Sequence, residues 1–200
     1  PVEHQQRLRE RLPHARLCVM YGQTECKRIT YLEPDELDRR SGSVGRGMPY
    51  QELALVDANG RRVEGAGVGE LVVRGPHVML GYWRSPEATA RKLRPIAAGS
   101  GAGPEAGPAP VSDETWLHTD DVFRRDEDGY LYFLGRSDDI LKIGGNKVSP
   151  REIEDVICAM PGVREAAVIG VPDETWGEAV AAFVVAAEGA TLDSEGVIRH

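Results

Sequence analysis

The 200-residue chain has only three cysteines and four lysines, and it lacks any long apolar run. Because no stretch of about 18 apolar residues occurs, a transmembrane helix is not expected. Cys18, Cys26 and Cys158 are odd in number and far apart, without a CxxC spacing, so neither a disulfide framework nor a zinc site is indicated. A reducing cytoplasm is therefore the expected compartment.

The chain also lacks a basic patch. Residues 1–100 carry 16 basic and 12 acidic side chains, whereas residues 101–200 carry 8 and 20. An acidic half repels phosphate backbones, and the positive excess of the other half is small and scattered, so nucleic-acid binding is not expected. The first residues, PVEHQQR, are polar and do not begin with Met. They indicate neither a signal peptide nor a natural start, and we expect the chain to belong to a longer protein.

Apolar periodicity and turn residues predict mostly β-structure up to about residue 136. Residues 97–112 are almost entirely Ala, Gly, Pro and Ser. Such a segment buries too little side chain to offset its ordering entropy, so we expect a mobile surface loop. The other predicted elements are a helix at 2–12, strands at 17–21, 53–56 and 71–73 with a turn at 57–60 between the last two, a short helix at 86–90, and a hairpin over 122–134.

A second, smaller unit is predicted from residue 137 onward. Ser149, Pro150 and Glu152 have the spacing of a helix start, with Ser as the cap, Pro at the first position and Glu at the third. The last two predicted strands have the apolar density of a covered sheet. The predicted strands of this unit are at 139–143, 147–148, 166–170 and 179–187.

Four short segments stand out in the sequence, and the first is YGQTE at residues 21–25. Glycine at position 22 lets the backbone approach a ligand closely. The Thr24 hydroxyl can donate to a phosphate oxygen, and the Glu25 carboxylate is a hard oxygen ligand suited to Mg²⁺. The alternative is a strand-to-loop turn with a solvated glutamate.

The second segment, residues 69–83, has a β-turn-β pattern that by itself indicates only structure. The third, WLHTDD at residues 116–121, places two carboxylates just before an apolar strand. A carboxylate such as Asp121 can accept hydrogen bonds from both hydroxyls of a sugar diol. The alternative is a loop or helix cap, with His118 as an ordinary surface histidine.

The fourth segment, GRSDDILKIGGNKVSP at residues 135–150, is the most specific. Arg136 and Lys142 provide cations that suit anionic groups. Gly144 and Gly145 remove side chains where a thin ligand must pass. The alternative is a domain linker with solvated charges.

Together and in this order, the four segments resemble the adenylate-forming superfamily, which includes AMP-forming acyl-CoA synthetases, peptide-synthetase adenylation domains and luciferases. The resemblance covers nearly the whole chain apart from the loop at 97–112. It implies a mixed α+β fold, in which residues 1–136 are the C-terminal part of a large AMP-binding domain with a β-rich subdomain. Residues 137–200 then correspond to a small α+β domain, truncated. The VMYGQ and KVSPREIE segments are most similar to acyl-CoA synthetases, and TECKR to the fatty-acyl group.

The resemblance implies roles for individual residues of the nucleotide site. Thr24 and Glu25 match catalytic positions that contact phosphate and metal in Mg-ATP, with Glu25 as the metal ligand. Asp121 matches the aspartate that binds the ribose hydroxyls, and Arg136 shares that contact. The implied cofactor-binding positions are Tyr21, Gly22, Gln23, Thr24, Asp121, Arg136, Gly144 and Gly145.

The resemblance also implies a second half-reaction. Asp138 matches the hinge about which the small domain rotates, and Lys142 matches the lysine that serves thioester formation. Gly144 and Gly145 match the glycines beside the tunnel for the pantetheine of coenzyme A or of a carrier protein.

The implied activity is that of an acyl-acid ligase, which activates a carboxylic acid, here a fatty acid, with ATP and transfers it to a thiol. The alternatives are an adenylation domain that loads a carrier protein and a non-catalytic module that binds a nucleotide or a partner protein. The family's phosphate loop is missing, and no lysine follows Lys147 to serve adenylation, so the isolated chain is expected to be inactive. Asp120 stands where the family usually has glycine. Aspartate tolerates left-handed backbone, so the turn should survive, but the extra charge should weaken nucleotide binding.

Overall fold

The computed structural model describes residues 2–96, 115–144, 146–173 and 175–199. The chain divides into two compact units, residues 1–133 and 134–200. The predicted loop at 97–112 and the candidate residue Gly145 lie outside the described residues.

The first unit consists mainly of antiparallel strands. Its helices are α1 (Val2–Arg11), a short 3-10 helix (Pro34–Glu36) and α2 (Pro86–Lys92). Its strands are β1 (Val19–Gln23), β2 (Cys26–Leu32), β3 (Arg46–Gly47), β4 (Glu52–Val56), β5 (Arg62–Val63), β6 (Gly67–Arg74), β7 (Leu93–Pro95), β8 (Thr115–Arg125) and β9 (Leu131–Arg136), within which the division of the chain falls.

Two sheets share the core of the first unit. One has the order β1-β2-β3, and the other has the order β5-β4-β6-β8-β7, with β9 also paired to β8. Cys26 and Ile29 of β2 pack in one cluster with Leu55, Leu71 and Phe123 of the larger sheet, and all five are at most 1% exposed. Full burial of a side chain such as Ile29 contributes about 1.5–3 kcal/mol, so this cluster fixes β1 and β2 against the larger sheet.

Most predicted elements of the first unit are present, with three differences. The strand predicted at 17–21 lies at Val19–Gln23 and so includes Gly22. The turn at 57–60 leads from β4 into the short strand β5, not directly into β6, although β4 and β6 do pair. The strand predicted at 122–125 begins at Thr115, because the preceding residues pair with β6 and β7. That extension draws the WLHTDD segment into the sheet.

The second unit is a smaller α+β structure. Ser149 caps α3 by accepting the Glu152 N–H, and Pro150 is the first helical residue, as predicted. The strand predicted from residue 139 begins at 141, because the N–H groups of Asp139 and Ile140 bond the Arg136 carbonyl in a turn. Its elements are β10 (Leu141–Ile143), β11 (Asn146–Val148), α3 (Pro150–Ala159), β12 (Val163–Asp173), β13 (Gly177–Ala186) and α4 (Ser194–Arg199).

The prediction of a covered sheet is wrong for one face of the β12–β13 pair. These two strands form a two-stranded sheet. Val168 on one face packs against Ile157 of α3 and is 5% exposed. On the other face, Ile169 is 47% and Phe183 is 62% exposed. The apolar density of a strand indicates that it prefers burial, but it does not show how many of its faces are covered by other elements.

Within the described ranges, no helix combines the length and apolarity that a membrane crossing needs.

Candidate functional site

The YGQTE segment forms a tight hairpin. Gln23 at the end of β1 pairs with Cys26 at the start of β2, so Thr24 and Glu25 make the turn. Thr24 is exposed and Glu25 is half-buried. A Cβ on Gly22 would lie 2.1 Å from the Lys27 carbonyl oxygen. Glycine is therefore required here by the partner strand, a reason that the sequence prediction of ligand approach did not include.

Strand β8 contains a bulge at Thr119–Asp121, three residues that stand opposite the single residue Leu71 of β6. Thr119 is fully buried, and its Oγ1 donates to the Leu71 carbonyl at 2.7 Å. The same oxygen accepts the Asp121 N–H at 3.1 Å, so one hydroxyl satisfies backbone groups that the bulge removes from the ladder. Bulges redirect side chains and are frequent beside active sites. The segment is therefore a bulged strand, and the loop or helix-cap alternative is wrong.

The hairpin and the bulge meet at Asp121. Its Oδ2 accepts the Tyr21 hydroxyl at 2.5 Å and Gln23 Nε2 at 2.8 Å, and the residue is only 6% exposed. Gln23 Nε2 also donates to the Thr119 carbonyl at 2.9 Å. Three sequence-predicted site residues thus lie in one hydrogen-bonded group, which holds a carboxylate in a fixed orientation.

Tyr21 is a permanent donor in this group. Burial, reinforced by the Asp121 carboxylate, raises the pKa of Tyr21 far above its ordinary value, so the phenol stays protonated. Its ring packs edge-on against Phe123 with centroids 4.8 Å apart. Gln23 Oε1 is buried and has no hydrogen-bond partner within the described part of the chain. A buried amide oxygen is costly when unpaired, so it is a candidate acceptor for a ligand.

Asp120, in the middle of the bulge, has a φ of 59°. Aspartate is expected to tolerate this left-handed conformation in place of glycine, and the structure has it here. Its N–H donates to Glu70 Oε1 at 3.0 Å, and its Oδ2 lies 2.6 Å from Lys92 Nζ. The added carboxylate is therefore paired with a cation.

Glu70 and His118 support the bulge from β6 and β8. His118 is 2% exposed, so it is not the surface histidine of the alternative interpretation, and its Nδ1 lies 3.1 Å from Glu70 Oε2. Burial alone would raise the pKa of Glu70, but the hydrogen bond and charge of His118 and the Asp120 N–H outweigh it and leave the pKa below its usual value. Glu70 therefore stays ionised under the bulge.

The acidic turn residue Glu25 is held from one side. Its Oε1 accepts the hydroxyl of Tyr82, and burial together with Glu25 raises the pKa of Tyr82 to about 12. Among the described residues, no three His, Cys, Asp or Glu side chains form a metal-binding group. One carboxylate beside a hydroxyl is nevertheless a fitting donor set for Mg²⁺, which keeps several waters and takes other ligands from phosphates.

Two candidate residues of the second unit, Arg136 and Asp138, pair with each other. Arg136 Nε lies 3.1 Å from Asp138 Oδ1, and both side chains are about half exposed or more. An exposed pair of this kind contributes little stability, so it can be exchanged for other partners at small cost.

Lys142 and Gly144 lie on the β10–β11 hairpin. The Lys142 side chain is exposed, and its backbone N–H donates to Glu178 Oε2 at 2.6 Å. Gly144 has a φ of 54° and donates its N–H to the Trp176 carbonyl at 3.0 Å. A Cβ on Gly144 would lie 2.8 Å from Trp176 Cε3. The glycine thus admits an indole ring as its neighbour.

Two family models match the chain. The AMP-binding enzyme model covers residues 1–83, and the AMP-binding enzyme C-terminal domain model covers residues 152–200. The chain belongs to the AMP-binding enzyme family. Both models fall on the family that the four sequence segments resemble, and the mixed α+β fold agrees with it.

Similar proteins in this family include CoA ligases. A long-chain-fatty-acid–CoA ligase of Salmonella typhimurium is 39% identical over 173 residues, 86% of this chain and 28% of the relative. An indoleacetate–CoA ligase of Aromatoleum aromaticum is 36% identical over 184 residues, 92% of this chain and 32% of the relative. The chain therefore spans less than a third of the length of these relatives.

Solved structures in the family match nearly the whole chain. ATP-bound MatB from Rhodopseudomonas palustris has a TM-score of 0.82 and 36% identity, covering 99% of this chain and 36% of that one. The amide bond synthetase McbA from Marinactinospora thermotolerans has a TM-score of 0.80 and 38% identity, covering 98% and 37%. These likenesses extend over both units of this family member.

Three side chains that hold the candidate site were not predicted as site residues, although Glu70 and Tyr82 lie in the segment at 69–83 that was interpreted as structural. Glu70, Tyr82 and Lys92 contact the bulge or the hairpin turn from other elements. Their spacing in the sequence carries no signal, because only the strand pairing and the position of α2 bring them close. In this family member, the acidic pair at 120–121 was the one available indication that a compensating cation was needed.

Proposed function

We propose that this chain is part of an AMP-forming acid–CoA ligase. A carboxylate oxygen attacks the α-phosphorus of ATP, the bond to the β-phosphate oxygen breaks, and acyl-AMP and pyrophosphate result. The thiol of coenzyme A then attacks the acyl carbon, and AMP leaves with the carboxylate oxygen. The observation that carries the proposal is the joining of the YGQTE hairpin to Asp121 through Tyr21 and Gln23.

In the first step, the residues of the hairpin and the bulge bind and orient the nucleotide. Asp121, oriented by two donors, would accept hydrogen bonds from the ribose hydroxyls, and Gln23 Oε1 would accept one further donor from the ligand. Thr24 would donate its exposed hydroxyl to a phosphate oxygen. Glu25 would hold Mg²⁺, which neutralises phosphate charge when bound. Positioning of this kind supplies most of the expected acceleration.

In the second step, residues of the small unit act. Residues 137–200 would form the small domain, and residues 1–136 the end of the large one. Asp138 would be the hinge, and Arg136, now in an exposed pair with it, would share the ribose contact. An exposed pair of this kind contributes little stability. Lys142 would supply a cation for thioester formation, and Gly144 with Gly145 would line the path of pantetheine.

The proposed substrates are a fatty acid and coenzyme A. This proposal is supported by the likeness to long-chain-fatty-acid–CoA ligases. Because the chain is also similar to an indoleacetate–CoA ligase, aryl acids are tested as substrates as well. The names of these relatives give no preference to a carrier protein as the acceptor. The three free cysteines support a reducing compartment, and we propose the cytoplasm.

The test uses the natural protein in which this chain occurs, with ATP, Mg²⁺ and a series of acids. Long-chain fatty acids should give equal amounts of pyrophosphate, AMP and acyl-CoA, and omission of the acid should abolish all three. Replacing coenzyme A by a pantetheinylated carrier protein should leave the acyl group untransferred. Formation of ADP and phosphate in place of AMP and pyrophosphate would contradict the proposal.

A further inference from the structure

An ion pair beside the candidate nucleotide site has no place in the roles given above. Lys92, the last residue of α2, has its Nζ 2.6 Å from Asp120 Oδ2 and 3.4 Å from the Thr119 carbonyl oxygen. The Lys92 side chain is 19% exposed and that of Asp120 is 39% exposed. Solvent and salt screen such a partly buried pair less than a surface pair. Lys92 thus neutralises the charge that Asp120 brings to the bulge.

The bulge needs this cation because carboxylates crowd the site. Asp120 and Asp121 are adjacent, and Glu25 lies at the facing hairpin turn. The Thr119 carbonyl oxygen lies 3.4 Å from Lys92 Nζ and accepts Gln23 Nε2 of the hairpin at 2.9 Å. The Lys92–Asp120 pair therefore lies beside the hairpin, whose turn carries Glu25 and would meet a phosphate chain. An unpaired carboxylate at that point would repel a polyphosphate.

We propose that Lys92 is a positioning residue, which neutralises Asp120 and so allows the bulge to accept a nucleoside polyphosphate. This inference rests on the proposed nucleotide-binding function. It explains how the chain carries aspartate at a left-handed position that otherwise suits glycine: the backbone accepts aspartate, and α2 supplies the countercharge.

The proposal makes a prediction that depends on ligand charge. If Lys92 acts by neutralising Asp120, its loss should penalise ATP most, AMP less, and uncharged adenosine not at all. If Lys92 only ties α2 to β8, its loss should disturb the whole site and weaken all three ligands alike. Equilibrium binding of the three ligands to the natural protein therefore separates the two roles.

The variants are Lys92→Met, Lys92→Arg, Asp120→Asn and the double variant Lys92→Met/Asp120→Asn. Asparagine keeps the tolerance for the left-handed backbone and removes the charge. Lys92→Met should weaken ATP roughly tenfold and AMP about threefold, from the loss of one countercharge. The double variant should restore ATP binding to within about twofold of the wild type. Arg91→Met, which removes an exposed cation from the same helix, is the matched control.

Two further measurements distinguish a loss of charge from a folding defect. Thermal unfolding of each variant shows whether the site is intact, and Lys92→Arg should keep both the fold and ATP affinity. Asp120→Asn alone, with Lys92 unchanged, should bind ATP at least as tightly as the wild type. Equal weakening of all three ligands, or failure of Asp120→Asn to rescue Lys92→Met, would overturn the proposal. Absence of AMP and ATP binding in the wild type would overturn the proposed function itself, and this inference with it.

Discussion

Gln23 Nε2 donates to Asp121 Oδ2 across 2.8 Å, a bond between residues 98 positions apart in the chain. Gln23 is the last residue of β1, and Asp121 is the last residue of the bulge in β8. With the Tyr21 hydroxyl on the same oxygen, the carboxylate has little rotational freedom left to lose when a ligand binds. The candidate site is thus organised before the ligand arrives.

Replacing Asp121 by alanine should selectively impair nucleotide use. A hydrogen bond to a charged group is worth about 1.5–3 kcal/mol, so acid-dependent pyrophosphate release should fall on the order of 10- to 100-fold. Asp57→Ala is the control, because that carboxylate caps the turn after β4 by accepting the N–H groups of Asn59 and Arg61. The Asp57→Ala variant should have the same KM for ATP as the wild type. Equal effects of the two substitutions would count against a role for Asp121 at the ribose.

Removing the Tyr21 hydroxyl should destabilise the fold. Tyr21→Phe deletes a partly buried hydrogen bond to Asp121, and the free energy of unfolding should fall by about 1.5–3 kcal/mol. Tyr50→Phe, at a side chain that is 89% exposed, should change it by less than about 0.5 kcal/mol. Urea unfolding of the 200-residue chain measures both. Similar values for the two variants would mean that the hydroxyl does not bear on the structure.

The stability supplied by Glu70 should disappear in acid. Its pKa in the folded chain lies below the ordinary 4.5, so its contribution is complete above that pH and is lost as the pH falls through the folded value. Glu70→Gln removes the ionisable group with little change of shape. The difference in unfolding free energy between wild type and variant should therefore shrink as the pH falls from about 6 to below 4. A difference that stays constant over this range would contradict the assignment.

The two half-reactions should separate at Lys142. Lys142→Ala in the natural protein should leave pyrophosphate release within about threefold of the wild type and slow thioester formation by roughly 10-fold or more. The reason is that Lys142 follows the proposed hinge at Asp138, so rotation of the small unit would bring it to the site only after adenylation. Loss of pyrophosphate release with normal conversion of supplied acyl-AMP would reverse the assignment.

The sequence was informative wherever a local pattern decides the structure. The cap at Ser149 and the helix start at Pro86 follow from residue types at fixed offsets, and the structure contains both. The strand predicted at 17–21 is also present, displaced to Val19–Gln23. The same holds for Asp120, where a known tolerance for left-handed backbone predicted a conformation that the structure has.

The sequence was uninformative where distant segments decide the structure. The bulge at 119–121 breaks the alternation of β8, so its residues had the appearance of a loop. Only the pairing of His118 with Val72 and of Val122 with Glu70 on either side shows otherwise. Lys92 lies 28 positions from Asp120, and no periodicity relates the two. The exposed face around Phe183 has the composition of a core, because composition records the preference of a strand and not its neighbours.

The proposed chemistry is tested most directly by following one oxygen atom. The natural protein is given ATP, Mg²⁺, coenzyme A and a fatty acid whose carboxylate carries heavy oxygen, and the AMP produced is analysed by mass spectrometry. If the acid is activated as acyl-AMP, each AMP should contain one heavy oxygen, because thiol attack at the acyl carbon leaves the carboxylate oxygen on phosphorus. AMP without the label, or label found in inorganic phosphate beside ADP, would contradict the account.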